Sequence, residues 1–204
     1  MGIHSAFHTT YRGLKFIVEH IKQLIWLETR FDCFLSFELK AHSTTLLSRN
    51  PISRTLIQLN MGKCYNSTVI NAQSDKVWNL LRDFHDMSWA KGVIPQVDTV
   101  GDLPADQPGS KRILNEVFHE TLVELNDDEK YFVYSIDDSP GPIAKETVSN
   151  YLGKARVAPI TATGASFVEW SSSYISEDDS AVGEFCDPIY YALLQTLKET
   201  CESE

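Results

Sequence analysis

Two adjacent titratable side chains, His119 and Glu120, lie in a segment whose composition predicts a strand. Because neighbouring residues of a strand point to opposite faces, these two side chains cannot both face one side of a sheet. If Glu120 faces the apolar side, the same alternation places Phe118, Leu122 and Glu124 there with it. His119 then faces the opposite side. Burial among apolar groups disfavours a charged carboxylate, which would poise Glu120 as an acid or a base.

The sequence contains few other candidate catalytic or metal-binding motifs. His85 and Asp86 lie beside the end of a predicted helix, and no nucleophile-elbow, phosphate-loop, dinucleotide-binding or zinc-protease motif is present. The four cysteines are far apart: Cys33, Cys64, Cys186 and Cys201. Without a Cys-x-x-Cys pair, the sequence predicts neither a metal site nor a disulfide framework. It predicts reduced thiols in a cytoplasmic protein.

The charge of the chain is unevenly distributed along its 204 residues, which carry a formal net charge of −10. Residues 1–60 contain seven basic and four acidic residues, whereas residues 61–204 contain eleven basic and twenty-four acidic ones. This shift predicts an N-terminal extension over residues 1–60 and one domain over residues 61–204. The acidic domain argues against a nucleic-acid partner, because binding to phosphates needs a basic surface.

The extension contains one amphipathic helical pattern, formed by Leu14, Ile17, Val18, Ile21, Leu24 and Ile25. Polar residues interrupt its apolar run, so the sequence predicts no membrane span and no stable membrane insertion. Three interpretations stay open: a loosely attached or weakly ordered segment, an organelle-targeting or membrane-surface helix, and a helix that packs on the domain. The predicted location is the cytoplasm, with targeting to an organelle through residues 1–60 as the alternative.

In the domain, the residue patterns predict strands before and after a helical segment, and then a long helix. The predicted strands are residues 64–70, 97–99, 110–114, 117–125, 131–136, 147–157 and 165–175. Ser74 is the predicted N-cap of the first helix. The last helix is predicted through residue 201, and at Asp187-Pro188 either Asp187 caps it or a longer helix kinks. Helices at both ends of an antiparallel meander are typical of an α+β fold.

This order of elements resembles the SRPBCC superfamily, which includes START lipid-transfer domains, polyketide cyclase/dehydrase-like proteins and plant abscisic acid receptors. The resemblance covers residues 63–201 approximately. Its local marks are Ser74–Phe84, Gly109–Arg112, His119–Asp127 and Phe167–Trp170. It implies the helix-grip fold, in which a curved antiparallel sheet of six to seven strands surrounds a long C-terminal helix and encloses an apolar cavity.

The Gly-x-x-Arg strand and the following Glu-containing strand are most similar to the plant receptors and to the lachrymatory-factor synthase of onion. In those relatives the residues that match Arg112 and Glu120 face the cavity, and in the synthase they serve catalysis. The resemblance therefore marks Arg112 and Glu120 as candidate catalytic residues. The candidate ligand-binding residues are Phe118, Leu122, Tyr134, Phe167, Ile189 and Leu193. Both receptor gate loops are missing, which argues against a hormone-gated phosphatase inhibitor.

Two functions follow from this resemblance. The first is binding or transport of a hydrophobic or amphipathic small molecule, such as a lipid, in the internal cavity. The alternative is an enzyme like the polyketide cyclases and dehydrases, in which Glu120 acts as general acid/base. Such an enzyme would be a cyclase, dehydratase or isomerase-type lyase that uses no metal and no cofactor. A protein-assembly module is a third class, and the sequence assigns no oligomeric state.

Overall fold

The computed structural model describes residues 60–203, with only the backbone at residue 60. This part of the chain forms seven strands, two α-helices and two short 3-10 segments. The elements in chain order are β1 (Asn60–Ile70), α1 (Ser74–Leu81), a 3-10 segment (Ser88–Ala90), β2 (Val97–Val100), β3 (Lys111–Leu114), β4 (Phe118–Asn126), β5 (Tyr131–Asp138), a second 3-10 segment (Gly141–Ile143), β6 (Val148–Ile160), β7 (Ala165–Ser176) and α2 (Asp179–Glu202).

The seven strands form one antiparallel sheet in the order β1-β7-β6-β5-β4-β3-β2. The first strand pairs with the last one, so the two ends of the domain lie together. Helix α2 packs against the sheet at β1 and β7, and the core lies between them. Val168 and Trp170 of β7 and Leu194 and Leu197 of α2 are almost fully buried there. This architecture confirms the predicted α+β helix-grip fold.

A bulge in β4 changes which side chains face the core. Leu122 pairs with Tyr134 but Glu124 pairs with Val133, which leaves Val123 as an extra residue. An extra residue reverses the alternation of side chains beyond it. Glu124 is exposed as a result, and the expectation that it faces the apolar side is wrong.

Helix α1 begins at Ser74, but its capping differs from the sequence prediction. Gln73 occupies the N-cap position and makes no side-chain capping bond, so the assignment of Ser74 as the cap is wrong. The helix is fixed instead by a carboxylate from the turn between β4 and β5. Asp127 accepts hydrogen bonds from Trp78 Nε1 at 2.7 Å and from Arg82 Nε at 2.9 Å.

Helix α2 is one continuous helix that includes Pro188. The Asp178 side chain caps it by accepting a hydrogen bond from the Ala181 amide at 3.0 Å. Of the two alternatives at Asp187-Pro188, the structure therefore has the longer helix. Pro188 lacks an N–H group, so one hydrogen bond of the helix is missing there. Asn66 of β1 donates a hydrogen bond to the Asp187 side chain at 2.9 Å, which holds this part of the helix to the sheet.

The predicted N-terminal extension lies outside the described residues, apart from the backbone of residue 60. The amphipathic pattern in residues 14–25 is therefore not part of the structural description. Among residues 60–203, no helix is both long enough and apolar enough to cross a membrane.

Candidate ligand-binding site

A buried ion pair lies on the inner face of the sheet. Arg112 of β3 and Glu120 of β4 are directly opposite each other in the antiparallel register. The Arg112 Nε donates a hydrogen bond to Glu120 Oε2 at 2.7 Å, and both side chains are buried. Among the described ion pairs, it is the only one whose two side chains are both less than one tenth exposed. The two candidate catalytic residues that the resemblance marked therefore lie in direct contact.

The loop after α1 holds Arg112 in a fixed position. Its Nη1 donates a hydrogen bond to the Phe84 carbonyl at 2.6 Å, and its guanidinium carbon lies 3.9 Å from the centre of the Phe84 ring. A cation over an aromatic face is attracted by the ring electrons. The remaining terminal nitrogen, Nη2, has no hydrogen bond to another described residue, so it can donate to a bound molecule.

The Glu120 side chain is held by Arg112, which bonds to only one of the two carboxylate oxygens. Burial raises the pKa of its carboxyl group, and this effect outweighs the attraction of the Arg112 charge, which lowers it. Its second oxygen, Oε1, accepts no hydrogen bond from residues 60–203. The carboxyl group can therefore accept a hydrogen bond or exchange a proton with a molecule beside it.

The ion pair forms part of the wall of a small cavity between the sheet and α2. The cavity has a volume of about 50 Å³. Its wall is formed by Met87, Ile94, Arg112, Leu114, Phe118, Glu120, Tyr134, Ile136, Ile143, Tyr151, Trp170, Cys186, Ile189, Tyr190 and Leu193. Most of these side chains are apolar, so the ion pair is a local polar site in an apolar wall.

The predicted ligand-binding residues divide into two groups in the structure. Four of them line the cavity: Phe118, Tyr134, Ile189 and Leu193. Leu122 is fully buried in the core but does not line the cavity. Phe167 is also absent from the wall, because it alternates with the buried Val168 and shares the other face of β7 with Glu169. The expected positions of Leu122 and Phe167 at the cavity are therefore corrected.

A chain of hydroxyl groups in the wall was not predicted from the sequence. Tyr134 OH accepts a hydrogen bond from Trp170 Nε1 at 3.0 Å and lies 3.3 Å from Tyr190 OH. Tyr190 OH lies 2.6 Å from Tyr151 OH, which lies 3.3 Å from Cys186 Sγ. A signal for part of this chain was present in the sequence. Cys186 and Tyr190 are four residues apart, and Leu193 and Leu197 extend the same helical face.

A glycine in β6 makes room for the first member of this chain. Gly153 pairs with Tyr134 across the strands. A Cβ atom at residue 153 would overlap the Tyr134 ring and hydroxyl group. The phenol ring can therefore lie across β6 only because residue 153 has no side chain.

The other titratable candidates lie away from the cavity wall. His119 is exposed, as the strand alternation predicted. His85 Nε2 lies 2.8 Å from the hydroxyl group of Ser110, which is completely buried, so this contact connects the loop after α1 to the start of β3. In the described part of the chain, no group of three or more His, Cys, Asp or Glu side chains is arranged to hold a metal ion.

Comparisons with known proteins agree with this architecture. A protein from Nitrosospira multiformis is 35% identical, with a TM-score of 0.67, and the match covers 69% of this chain and 97% of that one. The protein XoxI from Bacillus cereus is 26% identical, with a TM-score of 0.57 and coverage of 69% and 96%. Norcoclaurine synthase from Thalictrum flavum, solved with dopamine and hydroxybenzaldehyde, is 12% identical over 78% and 95% of the chains, with a TM-score of 0.56. At that identity the likeness shows the fold alone.

No curated protein sequence matches the chain. The family described as "Polyketide cyclase / dehydrase and lipid transport" matches residues 61–202, which includes all seven strands and both helices. This match confirms the SRPBCC resemblance that the sequence motifs indicated. The chain therefore belongs to the polyketide cyclase/dehydrase and lipid transport family.

Proposed function

We propose that the domain binds an amphipathic small molecule, with the apolar part in the cavity and a polar end at Arg112 and Glu120. The observation that carries this proposal is the buried ion pair in a mostly apolar wall. Two buried charges are expensive to desolvate, and apolar residues of similar size often stabilise a fold equally well. A ligand would supply the missing contacts, because each side chain keeps one polar atom that has no hydrogen-bond partner among residues 60–203.

The size of the cavity adds a condition to the proposal. A cavity of about 150 Å³ holds benzene, whereas this one has about 50 Å³. A ligand with a ring must therefore displace part of the wall as it binds. The part of α2 around Pro188 is suited to this movement, because it carries Ile189 and Tyr190 of the wall and lacks one backbone hydrogen bond.

Binding can be tested with 1-anilinonaphthalene-8-sulfonate, a fluorescent apolar probe that carries one anionic group. We expect saturable binding of one probe molecule per chain. The double variant Arg112→Met/Glu120→Leu removes both charges together, so it leaves no unpaired buried charge. Loss of charge-assisted hydrogen bonds should weaken its affinity at least about tenfold.

The matched control is Lys145→Met/Asp138→Leu, which removes an exposed ion pair with a similar N–O distance of 2.7 Å. We expect this variant to bind the probe like the wild-type protein. Equal affinity in the wild type and in Arg112→Met/Glu120→Leu would refute the role of the pair. No saturable binding to the wild type would refute the binding function.

A second function, proton transfer to and from carbon, is favoured by one specific observation. Glu120 combines a raised pKa with a free Oε1 at the cavity, as a general acid/base requires. The test reaction is deuterium incorporation at the methyl group of acetophenone in D₂O. Glu120 would remove one of these protons to form the enolate, which would then take up deuterium from solvent. Exchange at the rate of buffer, or an unchanged rate in Glu120→Gln, would exclude this chemistry.

The cytoplasmic location predicted from the sequence remains part of the proposal. Its support is the sequence, in which the cysteines are far apart and form no Cys-x-x-Cys pair.

A further inference from the structure

The hydroxyl chain lines the same cavity as the ion pair and forms a second polar region in its wall. Tyr134, Tyr151 and Tyr190 all contribute to the wall. Tyr134 is the member nearest to the ion pair, because Glu120 pairs with Ile136 and Leu122 with Tyr134 in neighbouring strands. Tyr134 and Glu120 are therefore diagonal neighbours on one face of the sheet.

The hydrogen-bond capacity of Tyr134 differs from that of the other two tyrosines. An indole N–H group can only donate, so the Tyr134 oxygen accepts the hydrogen bond from Trp170. The contacts among Tyr134, Tyr190, Tyr151 and Cys186 can run in either direction, because each partner can donate or accept. The protons of these four side chains thus have two possible arrangements.

In one arrangement Tyr134 donates to Tyr190, Tyr190 donates to Tyr151, and the last proton is directed at the Cys186 sulfur. In the other arrangement Cys186 donates to Tyr151, and each hydroxyl group donates toward Tyr134. The Tyr134 oxygen then accepts two hydrogen bonds, and its own proton has no acceptor among residues 60–203. Both arrangements contain three hydrogen bonds along these four side chains, and one of the three involves the Cys186 sulfur in each case. A ligand oxygen beside Tyr134 can therefore favour the second arrangement by accepting the free Tyr134 proton.

From this geometry we infer that Tyr134 is a specificity-determining residue that donates its hydroxyl proton to a carbonyl oxygen of the ligand. The inference rests on the proposed binding function and narrows its ligand to an apolar molecule that carries a carbonyl group. The side chain is suited to donation because burial and the nearby Glu120 raise the pKa of Tyr134 far above neutrality. The hydroxyl group therefore keeps its proton at physiological pH.

The test compares two probes of nearly equal shape, acetophenone and α-methylstyrene, which differ by C=O against C=CH₂. Their dissociation constants are measured by NMR titration of the full chain. We expect the wild type to bind acetophenone about three- to tenfold more tightly, as one additional neutral hydrogen bond allows. Tyr134→Phe keeps the ring over Gly153 and should remove this preference.

Two further variants separate the role of Tyr134 from general effects of losing a hydroxyl group. Tyr190→Phe removes the competing partner of Tyr134 but leaves its proton, so the preference for acetophenone should persist or increase. Tyr131→Phe is the control, because Tyr131 of β5 lies on the other face of the sheet, where its hydroxyl group bonds to Glu124, and does not line the cavity. Its preference should equal that of the wild type.

Each alternative outcome contradicts a defined claim. If Tyr134→Phe keeps the preference, another donor such as Arg112 holds the carbonyl group and the inference is wrong. If the wild type binds both probes equally, the inference fails while binding in the cavity stands. If the wild type binds neither probe, the ring-sized binding site and the inference are both refuted.

Discussion

The two members of the buried ion pair should differ in how strongly their loss destabilises the protein. A guanidinium group stays protonated in proteins, whereas the Glu120 carboxyl group can become neutral by taking up a proton. Glu120→Leu therefore leaves a buried positive charge, and Arg112→Met leaves a group that can lose its charge. We predict that Glu120→Leu is the more destabilising substitution.

The contacts that remain after each substitution determine how much it should lower the free energy of unfolding. Breaking a buried pair costs about 3–5 kcal/mol when an unpaired charge remains. Arg112 keeps the Phe84 carbonyl and ring as partners in Glu120→Leu, so we expect about 3 kcal/mol, the low end of that range. Arg112→Met leaves the Phe84 carbonyl without its donor and Glu120 protonated, which should cost about 1–3 kcal/mol.

The asymmetry can be measured by urea unfolding as a function of pH. Burial raises the pKa of Glu120 in the folded state. The stability gained from holding the proton is therefore complete below the pKa of Glu120 in the unfolded chain. It is lost as the pH rises through the pKa of Glu120 in the folded protein. Without Arg112 the folded pKa rises further. Arg112→Met should therefore regain stability relative to wild type between pH 8 and pH 5, and Glu120→Leu should not.

Lys145→Met provides the control for removing a positive charge, because its ion pair with Asp138 is exposed. Its effect on the free energy of unfolding should be much smaller than that of either substitution in the buried pair. Equal destabilisation by Glu120→Leu and Arg112→Met, or an Arg112→Met effect that does not depend on pH, would refute the reasoning.

Three other predictions concern the rest of the domain. Hydrogen bonds from Arg82 and Trp78 lower the pKa of Asp127 to about 2, so the stability that this carboxylate contributes is lost as the pH falls from about 4 to 2. In urea unfolding, Asp127→Asn should reduce this acid-induced loss by less than about 1 kcal/mol, because Asp127 is half exposed. Gly153→Ala should lower the free energy of unfolding by about 1–3 kcal/mol through overlap with Tyr134, and an unchanged melting temperature would contradict that packing. Deletion of residues 1–60 should leave the melting temperature and probe affinity nearly unchanged, and unfolding of the shortened protein would disprove the predicted domain boundary.

Strand alternation and motif order were sufficient to predict the fold, and the family resemblance directed attention to Arg112 and Glu120. Glu120 and Phe118 share a face because β4 pairs with β3 without a register shift between them, and the short connection between these strands places Arg112 opposite Glu120. The bulge at Val123 could not be predicted, because one inserted residue leaves no mark in the local composition. Phe167 lies off the cavity because Val168 and Trp170, which alternate with it, occupy the inner face of β7.

The hydroxyl chain shows a different limit of sequence reasoning. Tyr151 and Tyr190 are 39 residues apart in sequence, and their contact exists only because α2 folds back across β6. Local patterns place each tyrosine on the inner face of its own element. Only the tertiary structure brings the two hydroxyl groups to 2.6 Å.

The proline in α2 has a consequence for the rate of ligand exchange. The helix covers the cavity, and residues on both sides of Pro188 belong to the wall. Movement of α2 away from the sheet at Pro188 breaks one backbone hydrogen bond fewer than elsewhere in the helix. The hydrogen bond from Asn66 to Asp187 opposes this movement. The lifetime of a bound molecule should then depend on this single side-chain contact. In the proposed function, affinity depends on the ion pair of the sheet and exchange depends on the helix, so the two properties should change independently.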